Sequence, residues 1–500
     1  MKFIARYPGT TDVEANILTD GRHACTYREL PDLFAGMRDG FGERGVGLDA
    51  CLALECENSL PGALLLLYVL EGGYDFVLLP KPAEGCRATS GSIPFFCRYR
   101  VTTVTAGPGP MTDIDPSQFI YITPNPGYRE GPGTNQDPRV YLQTSGTTGI
   151  PKLAVHTHRG LGGNAFNCVE RLQLGAADRI AIPVPLSHMF GLGAAFLPGV
   201  AVGASIDLQR GAHLIGYLTH ERSFEPTVAF MTPSFCESLV KGRKSPRAYR
   251  LTVTAGDRLR GDTFDRYEAQ YGPLVQLYGS TEMGAIAAGS PNDPGEARTQ
   301  TVGKPLAHVE VRLGNGTTVE DSAAGREPSE TNDMGELFCR HAYGFHGYVD
   351  DGGVPVRLDQ TDPGGWCRMN DLGRILGDGR IQVLGRSDHS VNRSGLLVLY
   401  ADVERTMMGI AGVETVVIVA HEESEYGAGM AAFCVPASGA QVATSDIYAA
   451  CLTLLPRRAV PDTIIVVEAL PLLPNGKVDR QALIGMANVT PETGCAQPAT

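Results

Sequence analysis

Residues Thr144-Ser145-Gly146-Thr147-Thr148-Gly149-Ile150-Pro151-Lys152 put small residues, hydroxyls and one cation into a single short stretch. Chemistry of that kind suits a loop that holds a polyphosphate. Two glycines let the backbone approach an anion and turn its N–H groups inward. Ser145, Thr147 and Thr148 add hydroxyl donors, and Lys152 adds a mobile charge. The spacing G-x-x-x-x-G-K-[ST] is absent, so the strand, loop and helix mechanics of Walker-type ATPases do not apply. The alternative reading is a polar surface turn that follows a strand.

Four further motifs follow in order: Tyr278-Gly279-Ser280-Thr281-Glu282, Asn370-Asp371-Leu372-Gly373, Gly385-Arg386-Ser387-Asp388 and Leu473-Pro474-Asn475-Gly476-Lys477-Val478-Asp479-Arg480. With the first loop, this ordered set resembles the adenylate-forming superfamily of acyl-CoA synthetases, nonribosomal-peptide adenylation domains and luciferases. The resemblance covers nearly the whole chain. It implies that Thr144, Ser145, Gly146, Thr147, Thr148, Gly149 and Lys152 cradle ATP phosphates, with Gly256, Tyr278, Gly279, Asp371 and Arg386 completing the nucleotide site.

The residue types fit those roles. Tyr278 can stack on a purine. Glu282 offers a hard oxygen to Mg²⁺, and Thr281 a hydroxyl to the α-phosphate. Asp371 can accept from both ribose hydroxyls, and Arg386 can donate to the ribose. Lys477 is implied to bridge the carboxylate and the α-phosphate, stabilising charge that develops in the transition state. The resemblance also implies a hinge at Asp388 that swings Lys477 away and brings Gly395 to the thiol side, where CoA or a carrier-protein phosphopantetheine would enter.

Acyl selection is expected from Pro185-Leu186-Ser187-His188-Met189-Phe190-Gly191. In amino-acid-activating members this motif carries Phe-Asp; here the Asp position is His188. An ammonium left without a counter-charge in a pocket is costly. His188, Phe190, Gly279 and Met283 therefore read as an apolar to aromatic pocket for an aryl or medium acyl acid, with a packed core histidine as the alternative for His188. His156 and His158 lack the further ligands that a metal centre needs. Three positions depart from the family pattern: Asn370 where Gly is usual before Asp371, Leu153 where Gly follows Lys152, and Asn392 where a Lys is common.

These groups need a scaffold, and 500 residues exceed what one core usually organises. Two or three domains are expected. Apolar strand-like runs alternate with helix-like patterns from residue 50: Leu52-Ala53-Leu54-Glu55, Pro61 to Leu70, then Phe76 to Pro80. That rhythm predicts α/β layers. Thr103 to Pro138 reads as connecting loops, leading to a strand at Val140-Tyr141-Leu142. Strands at Val228 to Met231, Leu251 to Thr254 and Leu274 to Leu277 each end in a turn, and those turns should line a common edge. Beyond residue 300 the pattern changes to β-hairpins, and beyond Asp388 to a compact α+β unit.

The expected fold is α/β: a large N-terminal domain, 1–386, of layered α/β sheets plus a β-barrel-like part, a hinge near Asp388, a small mobile α+β C-terminal domain, 389–490, and a tail, 491–500. The formal charge of −13 argues against a general nucleic-acid binder. The uncharged stretch from Ile180 to Ile206 is broken by Pro183, Pro185, Pro198 and several glycines, so buried helix and strand are expected rather than a membrane span. The N-terminus lacks a signal-peptide pattern, and the cytoplasm is the expected compartment. Twelve cysteines without a C-x-x-C pair suggest reduced, buried thiols.

The resulting expectation is an ATP- and Mg²⁺-dependent ligase that joins a small carboxylic acid to CoA. Its rivals are an adenylation enzyme that loads an acyl or peptidyl carrier protein, and a non-catalytic nucleotide-binding protein that has kept the fold.

Overall fold

A computed structural model of the chain describes residues 15–81, 93–104, 109–111, 115, 119–131, 137–144, 152–210, 213–242, 247–257, 259, 261–314, 318–319, 334–356, 364–393, 396–424, 427–471 and 478–489. The chain divides into two compact units: 1–333 with 338–369 and 375–382, and 334–337 with 370–374 and 383–500.

The first unit carries two large sheets. In one, strands Leu52–Cys56, Phe76–Pro80 and Arg139–Gln143 run parallel, and the last turns back antiparallel into Leu153–Thr157. Leu52–Cys56 and Phe76–Leu79 are buried on both faces, as central parallel strands are, and the one charge among them, Glu55, is paired with Arg100. Helix Leu60–Gly72 crosses between the first two. Ser59 accepts from the Gly62 N–H at 3.2 Å, Pro61 sits in the first turn, and Gly73 closes the helix at φ +77. Every residue from Leu60 to Leu70 is buried, so this helix is core on all sides.

The other sheet has ten strands, with Leu274–Ser280, Leu251–Thr254, Val228–Met231, Arg179–Ile182 and Ser205–Leu208 adjacent and parallel at its centre. Their C-terminal ends share one edge, as the turns in the sequence suggested. Val309–Leu313, Met334–His341, Cys367–Ile375 and Ile381–Arg386 form a four-stranded sheet, which stands, among the described residues, where a β-barrel-like part was expected.

The loop reading of Thr103 to Pro138 is corrected. Ile120–Pro124 is a strand, paired antiparallel with Tyr99–Thr103 at a sheet edge. An edge position tolerates the Pro at its end, and the Pro/Gly content of its surroundings masks the short Ile-Tyr-Ile run. Ile180 to Ile206 folds as strand, a π-helical turn Phe190–Phe196, helix Leu197–Val202 and strand. Among the described residues no helix is long and apolar enough to cross a membrane.

The second unit is α+β. Hairpin strands Val413–Ser424 and Gly427–Pro436 pair antiparallel, Thr463–Val466 joins the latter in parallel, and helices Tyr400–Met408 and Thr444–Leu454 cover the sheet. Arg393, buried completely, donates to the Val460 carbonyl at 2.9 Å and to Asp462 at 2.5 Å, and the other Asp462 oxygen accepts the Met430 N–H. The buried cation is thereby paired and hydrogen-bonded, as its desolvation requires.

Candidate active site

The phosphate-loop candidate joins two antiparallel strands, Arg139–Gln143 and Leu153–Thr157, rather than a strand and a helix. Its ends are tied: the Thr144 N–H and hydroxyl both donate to the Lys152 carbonyl, at 3.1 and 3.2 Å. Lys152 is half-buried beside them. Ser145, Gly146, Thr147, Thr148 and Gly149 lie outside the described residues, as do Lys477 and Gly395.

Thr281 and Glu282 sit in a tight turn between Leu274–Ser280 and Gly284–Ala288. The turn is self-supporting, because the Met283 N–H donates to the Ser280 hydroxyl at 3.0 Å. Glycine is required at two places. A side chain at Gly279 would strike the Gly284 carbonyl, and Gly284 itself holds φ +65. Tyr278 lies half-buried two residues beyond the Thr254–Gln276 pair, and Gly256, exposed at φ +96, lies two residues beyond it on the neighbouring strand. Gly256, Tyr278 and Gly279 thus share the C-terminal edge of the parallel strands, where ligands of open α/β sheets bind.

Three side chains not assigned to the site from the sequence hold this turn. His156 donates through Nε2 to the Thr281 carbonyl at 2.7 Å. Burial pushes its pKa down to about 4, so the ring is neutral. The Tyr348 hydroxyl donates to Glu282 Oε1 at 2.7 Å, and the Phe345 N–H to the Glu282 carbonyl at 2.8 Å. Burial, and then the Glu282 carboxylate, raise the Tyr348 phenol well above its usual range. His341 donates to the Met283 carbonyl at 2.7 Å, and burial lowers its pKa. In the sequence His156 suggests only a metal ligand, and nothing in its neighbourhood along the chain points to Thr281, 125 positions away.

Glu282 keeps one carboxylate oxygen beyond the Tyr348 contact. Among the described residues no group of three His, Cys, Asp or Glu is arranged to hold a metal. A lone carboxylate fits Mg²⁺ held mainly by substrate phosphates, and does not fit an all-protein cage.

The acyl segment is anchored at both ends. Asn58 donates to the Ile182 and Val184 carbonyls at 3.0 and 2.8 Å and accepts from the Leu186 N–H at 2.8 Å. Asn164 donates to the Gly193 carbonyl at 3.0 Å and accepts from the Ala285 N–H at 2.9 Å, joining the π-helical turn to the Thr281–Glu282 hairpin. His188 is exposed, which disposes of the core-histidine alternative. Phe190 meets Phe230 edge-on at 6.1 Å, and Met283 is buried.

Asp371, Arg386 and Asp388 belong to the second unit. There the Arg386 guanidinium lies 3.8 Å from Asp371 and 3.1 Å from Asp388. Asn370 adopts φ +54, a left-handed conformation that Asn tolerates almost as Gly does. Gly would adopt the same φ at this position without strain.

Parallel sheets with a tied glycine/hydroxyl loop and a Thr-Glu turn at their strand ends define a nucleotide-handling α/β protein. A family model described as AMP-binding enzyme matches residues 101–349. The chain carries an AMP-binding enzyme domain and is similar to acyl-CoA ligases and adenylation domains of the adenylate-forming superfamily. It is 28% identical over 355 residues, 69% of its length, to a salicylyl-CoA synthase / salicylate adenylyltransferase of a Streptomyces species, and 26% identical over 353 residues, 70% of its length, to a sulfoacetate–CoA ligase of Cupriavidus necator. Those matches span 62% and 67% of the relatives' own lengths. The fold is that of ATP-bound MatB from Rhodopseudomonas palustris, with a TM-score of 0.78 at 19% identity, over 97% of this chain and 98% of the other.

Proposed function

We propose that the chain is an ATP- and Mg²⁺-dependent acid:thiol ligase that activates an aryl or medium acyl carboxylic acid and passes it to CoA. The observation that carries this reading is the junction of the Thr281–Glu282 turn with the strand leaving the glycine/hydroxyl loop, through His156. A carboxylate oxygen attacks the α-phosphorus of ATP, and pyrophosphate leaves with the electrons of the broken P–O bond. The thiol sulfur then attacks the acyl carbon, loses its proton, and AMP leaves. Mixed-anhydride formation makes the carbonyl reactive.

Ser145, Gly146, Thr147, Thr148, Gly149 and Lys152 would hold the phosphates, Tyr278, Gly256 and Gly279 the adenine side, and Asp371 with Arg386 the ribose. Mg²⁺, when bound, neutralises phosphate charge, and Glu282 is the residue that would hold it. Thr281 would donate to the α-phosphate and Lys477 would bridge it to the attacking carboxylate. His188, Phe190, Gly279 and Met283 would line the acyl pocket; with no acidic residue at position 188, an ammonium has no counter-charge there. The division into domains 1–386 and 389–490 about Asp388, with Gly395 on the thiol side, belongs to this proposal, as does a cytoplasmic location, where ATP and CoA are supplied.

Acid-dependent ATP–pyrophosphate exchange over a panel of aryl, acyl and amino acids tests the reading, followed by an offer of CoA and of a phosphopantetheinylated carrier protein in turn. Exchange with aryl or acyl acids and transfer to CoA are expected. Transfer to the carrier alone would replace CoA as acceptor, and no exchange with any acid would sink the ligase.

A further inference from the structure

The structure assigns to His156 and Tyr348 a positioning role: together they clamp the Thr281–Glu282 turn to the strand that leaves the phosphate loop, and so fix the direction of the Glu282 carboxylate. The inference rests on the proposed nucleotide role of that carboxylate and deepens it.

The clamp is built into the strand register. Tyr348–Val349 pairs antiparallel with Leu153–Thr157, placing Tyr348 opposite Ala154. Two flanking bonds hold that register: His346 N–H to the Val155 carbonyl at 2.7 Å, and Val155 N–H to the Gly347 carbonyl at 2.9 Å. Side chains two apart on a strand share a face, so His156 projects on the side of Ala154, and Tyr348 opposite Ala154 projects there too. Both side chains then reach the same turn, one at the Thr281 carbonyl and one at the Glu282 carboxylate.

Each donor is fixed in its role. A carbonyl can only accept, so the His156 proton sits on Nε2, and Nδ1, buried without a hydrogen-bond partner among the described residues, has no competing use there. The Tyr348 ring is locked edge-to-face against Phe345 at 4.9 Å, and Phe345 in turn holds the Glu282 backbone. Lys152 lies four residues before His156 on the same strand entry. Any tilt of that strand therefore moves the loop's cation and the Glu282 carboxylate together. A cation with one protein carboxylate as its anchor depends strongly on how that carboxylate is held, and outer-shell partners of metal ligands change affinity about 10- to 100-fold when removed.

The test uses the full chain and needs no acid substrate. Binding of a fluorescent ATP analogue is followed while Mg²⁺ is titrated, for wild type, Tyr348→Phe, His156→Leu and His156→Gln. The half-saturating Mg²⁺ concentration should rise about tenfold in Tyr348→Phe and His156→Leu. His156→Gln keeps an amide donor at the same reach and should stay near wild type. Nucleotide affinity without Mg²⁺ should not move, which separates positioning from general damage. Wild-type Mg²⁺ dependence in Tyr348→Phe overturns the assignment; should His156→Leu fail to fold, that single-oxygen deletion decides alone. A wild type that binds MgATP yet never exchanges pyrophosphate sinks the ligase reading while the clamp is still judged by the Mg²⁺ titration, and a wild type that does not bind MgATP overturns both.

Discussion

Replacing Asn164 by Leu removes a polar bridge while keeping the side chain's branching and heavy-atom count, and its cost can be worked from two hydrogen bonds. Asn164 is 2% exposed; its amide donates to the Gly193 carbonyl at 3.0 Å and its oxygen accepts from the Ala285 N–H at 2.9 Å. Both backbone groups are buried, and leucine leaves water no room to substitute. Each lost partner costs about 1–3 kcal/mol, so the hairpin and the π-helical turn should together lose about 2–6 kcal/mol of local stability. A multidomain chain has no single unfolding free energy, so the loss is read locally, by hydrogen exchange of peptides spanning 274–288. Even the lower bound accelerates exchange there about 30-fold.

The companion variant Asn164→Asp sharpens the test. Its carboxylate can accept from Ala285 but cannot donate to Gly193, and burial raises its pKa. The protonated acid restores the donor at low pH. Because its folded pKa is raised, the variant should approach wild-type stability below about pH 4 and lose it as pH rises from there to the raised value, then level off. Unchanged exchange in Asn164→Leu, or a pH-independent difference for Asn164→Asp, would refute the bridging argument.

Lys477→Ala should cut adenylate formation by orders of magnitude while sparing thiolysis of a supplied acyl-adenylate; equal loss of both steps, measured separately, contradicts the alternating-domain scheme. Asn370→Gly should leave thermal stability unchanged because φ is +54, whereas Asn370→Val should cost about 1–2 kcal/mol, and equal melting of the two would count against the left-handed turn. His156 is held neutral with its pKa depressed to about 4, so the unfolded chain takes up its proton first on acidification. Relative to His156→Gln, wild type should keep a constant local stability difference above pH 6.5, read by hydrogen exchange of peptides spanning 274–288, and lose about 1.4 kcal/mol per pH unit between there and about pH 4; a pH-independent difference would exclude a buried neutral ring.

The sequence carried the parts of the fold that are local. Leu52–Cys56, Phe76–Pro80 and the helix after Ser59 announce themselves by apolar runs, an N-cap and a closing glycine. The strand Ile120–Pro124 did not, since an edge strand needs little apolar pattern and tolerates Pro. At the site, Thr144 and Lys152, Tyr278 to Met283, and the exposed His188 segment were legible as motifs because their chemistry is concentrated in a few adjacent residues. His156, Tyr348, Asn164 and Asn58 were not. Each acts on a backbone group or side chain more than sixty positions away, and only strand register or the packing of helix on sheet brings donor and acceptor together.

The order and wide spacing of the motifs follow from the same architecture. A parallel sheet offers chemistry only at the C-terminal ends of its strands, and each return to that edge requires a crossover, usually a helix. Gln143 ends one such strand, Ile182 precedes the acyl segment, Thr254 precedes Gly256, and the strand through Tyr278 ends at Thr281–Glu282. Between these ends lie the helices His158–Leu172, Leu214–Phe224, Pro233–Gly242 and Gly261–Tyr271, which bury the sheet faces and supply no motif of their own. The exception is informative: Asn164 projects from the first of these helices into the site, where the helix meets both the acyl segment and the catalytic hairpin candidate. A substitution on that helix face should therefore couple acyl selection to the Thr281–Glu282 turn, whereas changes on the sheet-covering helices farther along should act on stability alone.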